Sequence, residues 1–238
     1  MAQISIAPTD HVSVLTGAGI SAESGLPTFR AEDGLWAGNR IEDVCTPEAW
    51  VRNPAKVWEF YSARRAAGAK AEPNPAHVAL AELEARLGDR FFLCTQNVDD
   101  LHERAGSSRL VHMHGELTKA HCERDCGRPP VEDRAIYRSL NEVGHCTCGG
   151  RLRPHIVFFG EIPLEMDRIQ AEIQKASLML VVGTSGSVYP AANFVHWARI
   201  GGARTVYVGP EPPLNASAFT HVMEGKAGEV LPGLFLVQ

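Results

Sequence analysis

Between Val12 and Ala22 an apolar run, Val-Ser-Val-Leu, passes directly into Thr-Gly-Ala-Gly-Ile-Ser-Ala, a Gly-x-Gly-x-x-Ala turn. Such a turn commits the chain to a strand followed tightly by a helix. Glycine lets the backbone bend sharply and leaves its N–H groups open to close approach. Taken alone the pattern fits any strand-to-helix turn, but the strand before it supplies the context of a pyrophosphate cradle at a helix N-terminus. A dinucleotide is the expected ligand.

Further apolar, β-branched runs at Phe91-Cys94, Leu110-Met113, Ile156-Phe159, Leu178-Val182 and Thr205-Val208 read as buried, mostly parallel strands. Helical patterns lie between several of them: Pro75-Leu87 after the cap Asn74, Pro163-Ala176, and Pro190-Ile200 closed by Gly201-Gly202. Strand alternating with helix predicts an α/β fold with a doubly wound, Rossmann-like parallel sheet. Two stretches break that rhythm, the Trp- and Arg-rich segment near Thr46-Gly68 and the cysteine-bearing segment His121-Gly150, and both are expected to form a smaller inserted lobe. The expected division is one catalytic domain over 1–238. Its Rossmann-like part takes 1–40, 75–117 and 155–238, its helical insert 41–74 and its metal module 118–154. With 238 residues, 45% of them hydrophobic, the chain can bury such a core. A net charge of −5 with scattered basic residues gives no footprint for nucleic acid or a membrane surface. With no apolar run of membrane-spanning length and no basic-then-apolar start, a cytoplasmic location is expected.

The continuation departs from a hydride-transfer fingerprint, which would reach a second strand within about 30 residues and end it with an acid for the adenine ribose. Here Gly25 and Pro27 cut the helix short and Thr28-Phe29-Arg30-Ala-Glu-Asp-Gly-Leu-Trp36 reads as a long loop. The next convincing strand begins at Phe91. A long loop beside a nucleotide usually folds over it and shapes the reaction.

Two polar clusters follow strand ends, where open α/β sheets place ligands: Gln96-Asn97-Val98-Asp99 and His114-Gly115-Glu116. Asn97 and Asp99 also suit plain helix caps, but two such clusters facing a nucleotide loop favour a functional reading. Cys122-x-x-x-Cys126 and Cys146-x-Cys148 approximate the paired spacing of a closed, structural Zn²⁺ site, with His121 or His145 as alternative ligands because the second gap is tight. A lobe this poor in large apolar residues needs the metal to fold. Tyr61 and Arg64 stand at i and i+3 of a helical segment; together a phenol and a guanidinium fork can grip a small carboxylate.

In order along nearly the whole chain, Gly17-Ala-Gly-Ile-Ser-Ala-Glu-Ser-Gly-Leu-Pro-Thr-Phe-Arg30, Gln96-Asn-Val-Asp99, His114-Gly-Glu116, the four cysteines, Phe159-Gly-Glu161 and Gly183-Thr-Ser185 closely resemble the sirtuins, NAD-dependent protein lysine deacylases. Tyr61-x-x-Arg64 resembles the signature of the class preferring malonyl-, succinyl- or glutaryl-lysine to acetyl-lysine, and Cys45 falls where that class has a small residue widening the acyl pocket. The resemblance implies NAD as co-substrate and one structural zinc. It implies NAD contacts at Gly17, Ala18, Gly19, Ser21, Ala22, Thr28, Phe29, Arg30 and Trp36, with Gln96, Asn97, Val98 and Asp99 about the nicotinamide. His114 would take a proton from a ribose hydroxyl after nicotinamide leaves and the acyl oxygen attacks C1′, with Asn97 beside it at the reacting end. Gly183, Thr184, Ser185, Gly209, Pro210, Glu211 and Ala227 would border the adenosine, and Phe159, Gly160, Glu161 and Val188 would clamp the acylated peptide as an added strand. The family usually carries Asn where this chain has Gly209, so only backbone contact is expected there. Mono-ADP-ribosyl transfer and a non-catalytic NAD- and zinc-binding module are the alternative functions.

Overall fold

The structure, a computed structural model, describes residues 3–28, 35–36 and 38–238. After β1 (Ile4–Ile6) comes β2 (Val12–Thr16), buried at all five positions, as an unalternating apolar run requires of a strand covered on both faces. Helix α1 (Gly19–Ala22) ends within one turn, and Gly25 then takes φ +84°. A short hairpin, β3 (Leu35–Trp36) with β4 (Asn39–Arg40), leads into α2 (Ile41–Val44), α3 (Pro47–Arg52) and α4 (Pro54–Gly68). Thr46 and Asn53 cap the last two by accepting the N–H groups of Ala49 and Lys56, each ahead of a first-turn proline. Helix α5 (Pro75–Leu87) starts at Asn74, whose side chain and that of His77 form a reciprocal cap.

Strand β5 (Phe91–Thr95), α6 (Leu101–Arg104) and β6 (Leu110–His112) complete one half of the main sheet. The chain then builds a separate antiparallel sheet from β7 (Gly115–Cys122), β8 (Val131–Glu132) and β9 (Leu152–Ile156). It returns through α7 (Met166–Lys175), β10 (Leu178–Val182), α8 (Phe194–Ile200), β11 (Arg204–Gly209), β12 (His221–Glu224) and α9 (Ala227–Val230) to β13 (Phe235–Val237), which pairs with β1.

The six-stranded sheet is parallel, ordered β12-β11-β10-β2-β5-β6. From β2 the chain steps outward to β5 and β6, then crosses back and steps outward the other way from β10. Ligand crevices open outside the strand ends at such a reversal, here between the loops after β2 and β10. One apolar cluster covers each face, the first including Ile20, Leu80 and Val206 and the second Met113, Ile169 and Phe194. A third cluster joins Trp58, Tyr61, Leu117 and Phe158 in the small lobe. Arg65 ties α4 to that lobe: it pairs with Asp133 at 3.2 Å and donates to the Leu117 carbonyl at 2.6 Å.

Several expectations are corrected. Ile156-Phe159 is not a strand of the parallel sheet; Ile156 ends β9, which runs antiparallel to β7 with Ile156 opposite Gly115. The helix expected from Pro163 begins at Met166, because Glu165 sits in a left-handed conformation at φ +56°. The Pro190 helix is a 3₁₀ turn over Ala191–Asn193 followed by α8. The late second strand is real: β2 pairs directly with β5, Val12 opposite Phe91. Among the described residues, no helix is long and apolar enough to cross a membrane.

Candidate active site

The glycine loop closes on the loop after β10. Gly17 N–H donates to the Val182 carbonyl at 2.9 Å and Gly19 N–H to the Gly183 carbonyl at 2.8 Å. A Cβ on Gly17 would stand 2.8 Å from the Gly183 oxygen, and one on Gly183, at φ +62°, 2.5 Å from the Ile20 nitrogen. The glycines therefore permit two backbones to touch as well as a ligand to approach. Ala18 is half-buried at this rim, while Ser21 is buried just inside it. Thr184 accepts from the Gln96 amide at 3.1 Å, and Ser185 meets Ser187 at 2.6 Å. At Gly209 a Cβ would lie 2.3 Å from the Tyr207 oxygen, which donates to the Thr184 carbonyl at 3.2 Å. That phenol gives the departure at Gly209 a physical reason. Pro210 and Glu211 are exposed beyond it, and Ala227 opens α9, whose Gly228 N–H binds Glu23 at 2.9 Å.

Across the crevice stands a buried polar ring. The Asn97 amide donates to Ser21 Oγ at 3.0 Å, and Ser21 donates to Asp99 at 3.2 Å. Asp99 also accepts the Leu101 N–H at 3.3 Å, so part of its expected capping role is real. Burial pushes its carboxyl up against the opposing help of Leu101, Ser21, His112 and Arg64. The loop is held from behind as well, since the carbonyls of Gln96, Asn97 and Val98 meet His114 Nδ1 at 3.2 Å, His112 Nδ1 at 2.8 Å and Leu117 N–H at 2.8 Å. A carbonyl only accepts, so His114 carries its proton on Nδ1 and presents a lone pair at Nε2. Burial lowers its pKa, partly offset by the Gln96 bond, and favours that neutral form.

On α4, Tyr61 is fully buried and donates to Cys45 Sγ at 3.1 Å. The Arg64 guanidinium lies 4.0 Å over the Trp36 ring, and its buried Nε has no hydrogen-bond partner among the described residues. Tyr61 stacks on Phe158, which in turn lies 3.9 Å beneath the Arg153 guanidinium. Arg64, Trp36, Tyr61 and Phe158 thus form one wall. Arg153 also grips both oxygens of Glu161 at 2.8 and 2.9 Å, turning that carboxylate inward and leaving the exposed Gly160 and the Phe159 ring at the surface. Val188 is half-buried on the facing loop and Thr28 on the glycine loop. Phe29 and Arg30 lie outside the described residues.

Cys122, Cys126, Cys146 and Cys148 place their sulfurs within 4.8 Å of one another. A tetrahedral ion with Zn–S bonds of about 2.3 Å needs sulfurs roughly 3.8 Å apart, so the set fits zinc. No histidine joins this group among the described residues: His121 faces His155 at 3.3 Å and His145 is exposed. The uneven spacing follows from turn geometry, with Asp125 and Gly127 at φ +45° and +75° and Gly149 at +82°.

Two buried histidine contacts beside the polar ring escape the sequence patterns. His112 and Glu103 meet at 2.7 Å, and buried His102 lies 3.0 Å from Thr16 beneath the glycine loop. Neither carries a motif; only the alternation His112-Met-His114 hints that both imidazoles face one side.

Comparison with known proteins agrees with this geometry. A Sir2 family profile matches residues 17–190. The chain is 49% identical to an NAD-dependent protein deacylase of Vibrio cholerae, covering 95% of this chain and 92% of that protein. It is 51% identical to one of Caulobacter vibrioides, covering 93% of each. A Sir2 homolog–NAD complex superposes with a TM-score of 0.86 at 40% identity, covering 95% of this chain and 89% of the other. A Sir2–p53 peptide–NAD⁺ complex superposes at 0.79 and 30% identity, covering 93% and 90%. Relatives this similar over nearly the whole length, joined to a profile spanning most of it, establish that the chain belongs to the Sir2 family, the sirtuins.

Proposed function

We propose that this chain is a cytoplasmic, single-domain NAD-dependent protein lysine deacylase that prefers succinyl- and malonyl-lysine to acetyl-lysine. One observation carries the acyl preference: among the described residues, Arg64 offers a buried Nε with no partner, beside a Tyr61 hydroxyl whose one partner is a thiol. An unpaired buried donor costs about 1–3 kcal/mol, and a thiol is a weak acceptor. A carboxylate at the end of an acyl chain would satisfy both donors.

NAD, when bound, supplies the ribose carbon that takes the acyl group as nicotinamide leaves. The Gly17–Ala22 backbone cradles the pyrophosphate; Thr28, Phe29, Arg30 and Trp36 cover the reacting end. Gln96, Asn97, Val98 and Asp99 line the nicotinamide side. Gly183, Thr184, Ser185, Gly209, Pro210, Glu211 and Ala227 border the adenosine. His114 Nε2 accepts the proton of a ribose hydroxyl, the one step that needs a neutral imidazole. The backbones at Phe159–Glu161 and Val188 hold the acylated peptide from both sides. The four cysteines hold a structural Zn²⁺.

Incubation with NAD and acetyl-, malonyl- or succinyl-lysine peptides tests this by mass spectrometry. Nicotinamide, free lysine and acyl-ADP-ribose are expected in equal amounts, fastest from the dicarboxylic acyl groups. ADP-ribose fixed on protein instead would establish ADP-ribosyl transfer, and faster turnover of acetyl-lysine would overturn the acyl preference.

A further inference from the structure

His112 is a buried histidine two residues before His114 that the reading above leaves unused. It is 9% exposed, is the last residue of the edge strand β6, and has both ring nitrogens engaged. Nδ1 lies 2.8 Å from the Asn97 carbonyl and Nε2 2.7 Å from a Glu103 carboxylate oxygen. A carbonyl and a carboxylate both accept, so satisfying both requires a proton on each nitrogen, that is, an imidazolium. The charge sits behind a loop whose three successive carbonyls, at Gln96, Asn97 and Val98, are all tied to residues 112–117. The same loop reaches forward through the Asn97 amide to Ser21 in the glycine loop at 3.0 Å. A ring that loses one proton keeps one of its two contacts and turns a lone pair on the other.

We infer that His112, held as an imidazolium between Glu103 and the Asn97 carbonyl, is a positioning residue that fixes the loop Gln96–Asp99 for the co-substrate. The inference rests on the deacylase reading. The groups facing the ring are Glu103 and His102 on α6, Asp99 on the loop, Glu116 on β7 and His155 on β9. Burial opposes the charge, but the Glu103 hydrogen bond and charge, the Asn97 carbonyl and Glu116 leave the imidazole raised above its ordinary range. The loop is therefore held while the ring keeps both protons and loosens as pH rises through that raised value.

Asn and Gln separate the two contacts, because the Asn amide nitrogen can stand near the imidazole Nδ1 and that of Gln near Nε2. KM for NAD and kcat are measured from pH 6.5 to 9 on a succinyl-lysine peptide, with ¹⁵N NMR of the histidine rings at pH 7. His112→Gln is expected to raise KM for NAD about ten-fold, the loss of one charge-assisted hydrogen bond, with kcat within about three-fold. His112→Asn is expected to recover most of that rise. Glu103→Gln, at a largely exposed position, should move the alkaline rise of KM about one pH unit lower while both ring nitrogens of wild-type His112 give imidazolium shifts. Neutral-ring shifts at pH 7, equal losses in the Asn and Gln variants, or an unmoved KM profile in Glu103→Gln would each overturn the inference. Wild-type inactivity on every acyl peptide would instead defeat the deacylase reading, and the ring spectrum would still decide the charge of His112.

Discussion

The His114 imidazole donates its Nδ1 proton to the Gln96 carbonyl at 3.2 Å, which fixes the tautomer and leaves Nε2 unprotonated. Removing that base by His114→Ala is expected to lower kcat about 10²- to 10⁴-fold with a much smaller change in KM for NAD. Burial holds the pKa of His114 below its ordinary value, so the acid limb of the kcat/KM profile should fall below pH 6.5. A profile whose acid limb lies above that value would contradict the assignment.

Gly183 makes a second prediction. Its left-handed φ of +62° and the 2.5 Å approach of a Cβ to the Ile20 nitrogen leave no room for alanine. Gly183→Ala should cost at least about 2 kcal/mol, roughly 4–8 °C in Tm for a chain of this size, and weaken NAD binding together with it. Calorimetry and NAD titration on the one variant check both.

The four sulfurs within 4.8 Å predict one zinc per chain with an all-sulfur shell, read by metal analysis and X-ray absorption. Chelation or Cys126→Ser should expose the segment between the cysteine pairs to protease before the parallel sheet unfolds, because that segment is largely exposed and contributes few apolar side chains. A nitrogen ligand in the shell would contradict the four-cysteine assignment.

The buried His77 and His102 rings, 4.9 Å apart, predict acid sensitivity. Burial pulls His77 down to about 4 and His102 well below its ordinary value, so both are neutral in the folded chain. The unfolded chain binds protons near pH 6.5 while the folded one does not, so stability is lost as pH falls from about 6.5 toward 4, on the order of 3 kcal/mol for His77. Urea denaturation across that window should show the loss, and His77→Gln should remove the His77 share of it.

Much of this arrangement was readable in the residues. The Val12–Ala22 run specified strand, turn and short helix, and the paired cysteines specified a metal cluster, because each pattern depends on local geometry. The failures came where tertiary contacts decide. Ile156–Phe159 has the composition of a core strand, but its neighbour β7 runs the other way, and nothing local distinguishes the two pairings. Strand β12 leaves no strand signature in the sequence, because an edge strand reading His-Val-Met-Glu is mostly exposed. Of the doublet Arg64-Arg65, the second proved structural, buried against Asp133 and three carbonyls, a distinction that only the packing of α4 could make.

On the proposed reading, the Arg64 Nε, without a partner among the described residues, and the Tyr61 hydroxyl select a carboxylate-bearing acyl group. The most direct measurement is the ratio of kcat/KM for succinyl- over acetyl-lysine peptides in the wild type and in Arg64→Met. A ratio above one is expected in the wild type, with a fall of about 10- to 100-fold in the variant, through the succinyl substrate alone. A wild-type preference for acetyl-lysine, or an Arg64→Met enzyme that keeps its succinyl activity, would contradict it.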